Sequence, residues 1–347
     1  MLPFRSSALL ASAALALGAA LVPASALADS TGPSSSPTFT TTDLVAALTA
    51  AETPTAAVAK AGWVARGTDV EGHKAPEAMT AIYAVDHGAA HVGSEISMVE
   101  ADHAGTYMTL AGLGPGRRTE RALKALNRPR ARWVFAPDRS LDLRDLDTNS
   151  AIAHLAPDLL LAQFVDPTRT TLTGTPTATA EADGSTTYAF DETDLTADGE
   201  RGTTTVTIDA GGVVTAITSA TTSDSGSVRY TYGAQHVALP ARASTITLDQ
   251  LREGSFLATL PRQVRMTATL VAQQATSTAH HHTVKVAAIR RPAARFARFT
   301  NRLASAKILS TRPIAGGVRI IGTNRHTHTH VAYTVTSTGT RAVCHKA

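Results

Sequence analysis

The chain has 347 residues, 43% of them hydrophobic and 17% charged, with a formal net charge of +4 and a single cysteine. That balance supports packed cores in about two domains and excludes wholesale disorder. The lone Cys344 excludes an internal disulfide framework and any zinc module built on cysteine clusters.

Residues 1–28 read as a secretory signal peptide. Arg5 is the positive n-region, Ala8 to Val22 the short apolar run, and Ala26-Leu27-Ala28 a small-x-small cleavage site before Asp29. The run is short for a membrane span, and Pro23 and the small residues favour processing over an uncleaved anchor. No cysteine follows it to accept a lipid. The expectation is a secreted, extracytoplasmic or envelope-associated chain without a lipid anchor.

Charge divides the rest. Residues 29–247 hold 16 bases and 26 acids, a net of −10, whereas 248–347 hold 15 bases and two acids, Asp249 and Glu253, a net of +13. The expected organisation is therefore a flexible Ser/Thr/Pro-rich leader at 29–41, a larger acidic domain at 42–247 and a small basic α+β domain at 248–347.

In the acidic segment Thr42 is placed to cap a helix running from Asp43 to about Ala61, with Gly62 as its stop. The period then changes to two. Strands are predicted at 63–68, 79–85, 91–99, 106–110, 132–135, 170–175, 186–190, 203–208, 213–218 and 228–232, with helices at 117–126 and around 151–164, the second with Pro157 inside it. Connectors such as EADGS and DAGG carry the residues tight hairpins need. Short connections make neighbours antiparallel, so the fold class predicted is α+β, with one large curved antiparallel sheet covered by helices on one face.

Alternation sends Tyr83 with Val85, Ile96 with Met98, Trp133 with Phe135, Val206 with Ile208, and Tyr230 with Tyr232 to one side of their strands. These residues either line an apolar hollow or pack into a solid core. The runs GTYMTLAGL, which holds Met108 and Leu110, ARWVFAPDRSLDL, AIAHLAPDLLLAQFV, TTTVTIDAGGVVTAITS and VRYTYGAQHVALP follow an N-terminal helix in a particular order. Over residues 42–245 that order resembles the LolA-like half-barrel, and more closely the LppX/LprG-type lipid carriers of actinobacterial envelopes. The resemblance implies an apolar cavity between sheet and helices that holds acyl chains, with the twelve residues just named as its lining. The chain departs from the lipoprotein members in having no lipidation cysteine.

In the basic segment Thr247 and Gln250 have capping-box spacing, and Pro261 suits the first turn of a helix reaching about Gln274. A strand is predicted at 283–289, a helix from Pro292, and further strands near 307–310, 318–322 and 330–336. On that helix Arg291, Arg295, Arg298 and Arg302 fall within about 60° of arc. They form either an anionic-surface site, for lipid head groups, wall polymers or an acidic partner, or a face that is solvated or docked on the acidic domain. Export and the lack of a recognised motif remove nucleic acid as a partner. His326, His328 and His330, at alternate positions, would share one face of a strand and could hold zinc or copper with a further ligand; the plainer reading is polar strand surface. No other cofactor is expected.

Catalysis is not expected. G-x-S-x-G, H-E-x-x-H, P-loop and G-x-G-x-x-G patterns are missing, and Cys344-His345 stands too near the chain end to be walled into a site. The expected function is a secreted, non-catalytic binding protein carrying a lipid or other hydrophobic ligand in the cell envelope. The alternative, suggested by a LolA-like domain followed by a smaller one, is a regulatory module resembling the RseB type, whose target is a partner protein.

Overall fold

The structure, a computed structural model, describes residues 38–71, 77–92, 95–111, 116–143, 152, 155–194, 201–221 and 224–347, without the side chains of 69–71, 91–92, 95–96 and 194. The expected signal peptide and most of the leader lie outside the described residues. Among the described residues twelve strands make one large, mainly antiparallel open sheet and four make a separate one. The chain divides into two compact units: one runs to Thr106 and resumes over Pro137–Leu239, and the other comprises Tyr107–Ala136 with Pro240–Ala347. Residues 107–136, assigned by sequence to the first domain, therefore belong with the basic segment.

The first unit opens with helix α1 (Thr41–Ala59). Its cap is Thr40 rather than Thr42: the Thr40 hydroxyl accepts from the Asp43 amide and the Asp43 carboxylate accepts from the Thr40 amide, a complete capping box. Leu44, Leu48, Ala51, Thr55 and Ala59 form its buried stripe. Gly62 ends the turn at φ +117, where a Cβ would meet the Gly233 and Tyr83 carbonyl oxygens at 2.8 and 2.9 Å. Strands β1 (Trp63–Glu71), β2 (Glu77–Ala84), β3 (His87–Val92) and β4 (Glu95–Ala101) follow; the single strand expected over 91–99 is two strands of a hairpin.

After β5 (Gly105–Thr109), helix α2 (Arg117–Ala125) and β6 (Trp133–Pro137) comes helix α3 (Pro157–Val165). Pro157 begins α3 instead of breaking it, because its missing N–H costs nothing in the first turn. Strands β7 (Thr170–Ala180), β8 (Thr186–Asp194), β9 (Arg201–Ile208), β10 (Val214–Thr221) and β11 (Asp224–Tyr232) complete the first unit in the order β4-β3-β2-β1-β11-β10-β9-β8-β7. Asp183 and Asp209 hold two of the hairpin turns by accepting from Ser185, and from Gly211 and Val213. Helices α1 and α3 pack together and bury Leu44, Leu48, Leu161 and Phe164.

The second unit adds β12 (Thr245–Thr247), parallel to β6, and helices α4 (Leu248–Leu257), α5 (Leu260–Thr278) and α6 (Val286–Leu303). The Thr247–Gln250 capping box forms as expected. Strands β13 (Leu309–Ile314), β14 (Gly317–Asn324), β15 (Thr329–Ser337) and β16 (Ala342–Lys346) make the separate sheet in sequential order. Val264, Ala268, Val271 and Ala275 of α5 and Ile289, Ala293 and Ala297 of α6 form its core with Ile308, Val318, Ile320 and Val335. The strand expected at 283–289 is replaced by the start of α6, and Pro292 lies inside that helix. Burying Ile289, Ala293 and Ala297 at helical spacing outweighs the one bond that Pro292 cannot make.

Leu161 is fully buried on α3, which packs against α1. Leu161→Ala should lower the unfolding free energy by about 2–5 kcal/mol in urea titration.

Candidate functional site

The inward face of the first unit is set by its ladders. Trp63 on β1 stands opposite Tyr83 on β2 and Tyr232 on β11, and Tyr230 stands opposite Ala65. Trp63 stacks on Tyr83 at 5.8 Å and meets Tyr230 edge-on at 6.1 Å, while Tyr230 and Tyr232 stack at 6.1 Å. The Tyr83 hydroxyl donates to the Leu143 carbonyl at 3.0 Å, and that of Tyr230 to the Leu155 carbonyl at 3.1 Å, just ahead of α3. Desolvation holds the phenols of Tyr230 and Tyr232 well above their ordinary pKa; the Tyr232 and Asp158 charges add to this for Tyr230, and those of Asp158 and Asp209 for Tyr232. Both stay neutral donors at physiological pH.

The twelve residues expected to line one hollow are distributed over several places. Tyr83, Met98, Val206, Ile208 and Tyr230 are buried in the first unit, and Tyr232 is half-buried beside them. Val85 lies past the end of β2 and is exposed, because the turn there ends the alternation. Ile96 is on β4 among residues whose side chains fall outside the described set. Met108 and Leu110 pack on the core of the second unit. On β6 the buried residue is Val134, so Trp133 and Phe135 take the other face, where Phe135 meets Tyr107 at 4.6 Å.

Among the described residues, three buried polar side-chain atoms have no hydrogen-bond partner, and all three lie in the first unit: the indole Nε1 of Trp63, Oδ1 of Asp158 on α3 and Oγ of Ser219 on β10. No sequence signal marks them, since each is orphaned by its tertiary surroundings. Two polar groupings likewise leave no mark in the sequence, because their members are far apart in the chain or bland in type. Asp102, His103 and Asp142 bring one ligand atom each within 4.8 Å of one another, although one Asp102 oxygen already accepts from the Leu143 amide. An open cleft of about 430 Å³ is lined by Thr173, Asp191, Glu192, Arg201 and Thr203, beside a bulge in β7. There the Asp191 and Glu192 carboxylates already accept from the Thr203 and Thr204 hydroxyls.

In the second unit Arg291, Arg295, Arg298 and Arg302 are all exposed on α6. Arg295 donates to the Gln274 side chain on α5 at 3.0 Å and lies 5.5 Å from the Phe296 ring. Among the described residues none of the four makes an ion pair.

The three histidines do not share a strand face. His326 and His328 lie in the turn between β14 and β15, His328 with φ +55, and only His330 is on β15. The turn replaces the alternation on which the expected metal site depended. His326 Nε2 instead meets Glu253 Oε1 at 3.1 Å, Arg325 reaches the other Glu253 oxygen at 3.3 Å, and His330 faces the Thr323 hydroxyl at 3.2 Å. Beside them the Asn324 amide donates to the Ala125 carbonyl at the end of α2, so this turn is pinned to α2 and α4.

No protein-family model matches the chain, and no curated protein does. Among solved structures it is similar to that of an uncharacterized conserved protein from Thermus thermophilus, at 8% identity and a TM-score of 0.29, over 57% of this chain and 96% of that one. A likeness that faint carries no argument about fold or function. Among the described residues no helix is long and apolar enough to cross a membrane.

Glu253→Ala should cost about 0.5–1.5 kcal/mol by removing the acceptor shared by half-buried His326 and exposed Arg325, whereas exposed His328→Ala should stay within about 0.5 kcal/mol of the parent in the same titration. Calorimetry with Zn²⁺ should show no change for His328→Ala; a clear loss of affinity would restore the three imidazoles as a ligand set.

Proposed function

We propose that the chain is a non-catalytic, extracytoplasmic binding protein that holds a lipid or another hydrophobic ligand between the sheet of its first unit and helices α1 and α3. The observation that carries this reading is an apolar and aromatic interior in which Trp63 Nε1, Asp158 Oδ1 and Ser219 Oγ lack partners. A buried polar atom without a partner costs about 1–3 kcal/mol, so each of these three is a place where the polar end of a ligand would be stabilising. A ligand with an apolar body and a polar end suits such a wall, and each acyl CH₂ buried there contributes about 0.8 kcal/mol. The resemblance of element order and strand texture to LolA-like carriers of the LppX/LprG type points the same way.

The wall is closed: Trp63 and Val206 are fully buried, and Tyr83, Met98 and Tyr230 nearly so. Entry of a ligand therefore requires α3 to move. It is nine residues long, and it rests on the sheet and α1 through Leu160, Leu161 and Phe164. The same closure favours a second reading, an RseB-like regulatory module with a solid core whose ligand is a partner protein.

Native mass spectrometry with solvent extraction separates the two. The carrier reading expects a lipid released from the purified chain, uptake of a fluorescent fatty acid, and loss of that uptake in Met98→Trp with a small change in melting temperature. A bare chain that refuses the fatty acid, with Met98→Trp destabilised by about 1–3 kcal/mol as in an overpacked core, ends the carrier reading.

A further inference from the structure

The α5–α6 hairpin of the second unit turns one face to the four-stranded sheet and leaves the other uncovered. Four of the six exposed large hydrophobic side chains among the described residues lie on these two helices: Met266 and Leu270 on α5, Phe299 and Leu303 on α6. Their exposures, 40–56%, are those of side chains lying on a surface rather than filling a gap. Helices α5 and α6 pack side by side, joined through residues 279–285, and the Arg295–Gln274 bond sets their register to within about one turn. One helical turn onward from that bond, Phe299 comes level with Leu270, and a further turn brings Leu303 level with Met266. The four thus follow the groove between the helices as a continuous apolar seam.

The seam has a basic border. At 100° per residue Arg291, Arg295, Arg298 and Arg302 lie on the side of Phe299 away from the buried face of α6, and exposed Arg262 follows Met266 one turn back on α5. No acidic residue occurs anywhere after Glu253, so neither helix carries a counter-charge of its own. A linear polyanion would neutralise these arginines and leave the seam in water. An anionic bilayer satisfies both, because phosphates accept from the guanidinium forks at the depth where side chains such as Phe, Leu and Met enter the acyl boundary.

We infer that the outer face of the α5–α6 hairpin docks on an anionic lipid bilayer, with Phe299, Leu303, Met266 and Leu270 entering the interface and the arginine stripe holding head-group phosphates. Both helices lie flat on the surface, since neither is apolar enough all round to enter it end-on. This goes beyond ligand binding by the first unit and does not depend on it; a chain that holds no lipid and still docks separates the two claims.

The test uses the full chain with vesicles of phosphatidylcholine alone or mixed with phosphatidylglycerol. The chain should sediment with the mixed vesicles at low salt, release as salt rises, and ignore phosphatidylcholine. The pair Arg295→Glu and Arg298→Glu should weaken binding by more than about tenfold. The pair Phe299→Ser and Leu303→Ser should weaken it about tenfold with the melting temperature unchanged, as expected for exposed positions. Phe299→Trp should gain emission that brominated lipids quench beyond any quenching of Trp63 and Trp133. Failure to sediment at low salt overturns the inference. So does unaltered binding by the Ser pair, or no added quenching in the Phe299→Trp variant, which would leave charge attraction without insertion. Equal binding of soluble polyaspartate, with the same loss in the Ser pair, assigns the face to an acidic protein instead.

Discussion

One long-range ladder holds the first unit together, the pairing of β1 with β11. Strands β2 to β4 hang from β1, and β7 to β10 run up to β11, each run joined by local connections. Only the match of Trp63–Glu71 with Asp224–Tyr232 makes a single sheet of them, and it closes a loop of more than 150 residues. Closing so long a loop is entropically costly and slow, so the ladder must be favourable residue by residue. Gly67 permits the approach, since a Cβ there would lie 1.8 Å from the Ser227 carbonyl oxygen. Trp63, Tyr83, Tyr230 and Tyr232 then gather across the seam, and the Tyr230 hydroxyl reaches the Leu155 carbonyl just ahead of α3. The proposed ligand site and the sheet's structural join are consequently the same place.

That coincidence bears on how a ligand could exchange. An opening that separated β1 from β11 would dismantle the sheet, whereas displacement of α3 leaves every ladder intact. The tyrosine hydroxyls reach carbonyls at Leu143 and Leu155, outside the helical bonds of α3, so they anchor the approach to the helix and not its body. Asp158, with one carboxylate oxygen buried and unpartnered, is carried on the element that would have to move.

Much of the architecture was legible in the sequence because it depends on local rules. Alternation marked most strands, the Asp and Gly of EADGS and DAGG marked tight turns, and Thr247 and Gln250 announced a helix start. Expectations failed where tertiary context outweighed a local signal. Val286 to Ile289 reads as a strand by composition, yet Ile289 completes the buried stripe of α6. Strands β3 and β4 pair as a hairpin, but the β-branched and apolar residues of 91–99 read as one strand. The candidate sites were legible only in part. The arginine stripe follows from spacing alone and is exposed as that spacing allows, while its apolar companions emerge only when α5 is set beside α6. The histidine set looked like a metal site because strand alternation was carried through a turn, and the partner of His326 proved to be Glu253, 73 residues away.

On this reading the chain has two lipid-facing surfaces of different kind, an aromatic interior under α1 and α3 and a basic, apolar hairpin face on α5 and α6. Hydrogen exchange read by mass spectrometry, with and without nanodiscs of anionic lipid, tests this most directly. The predicted result is slower exchange confined in the second unit to residues 262–274 and 291–303, with altered exchange in the first unit at 155–165 while the β1–β11 ladder stays protected. Protection elsewhere on the second unit, or exchange at 155–165 that is indifferent to lipid, would contradict it.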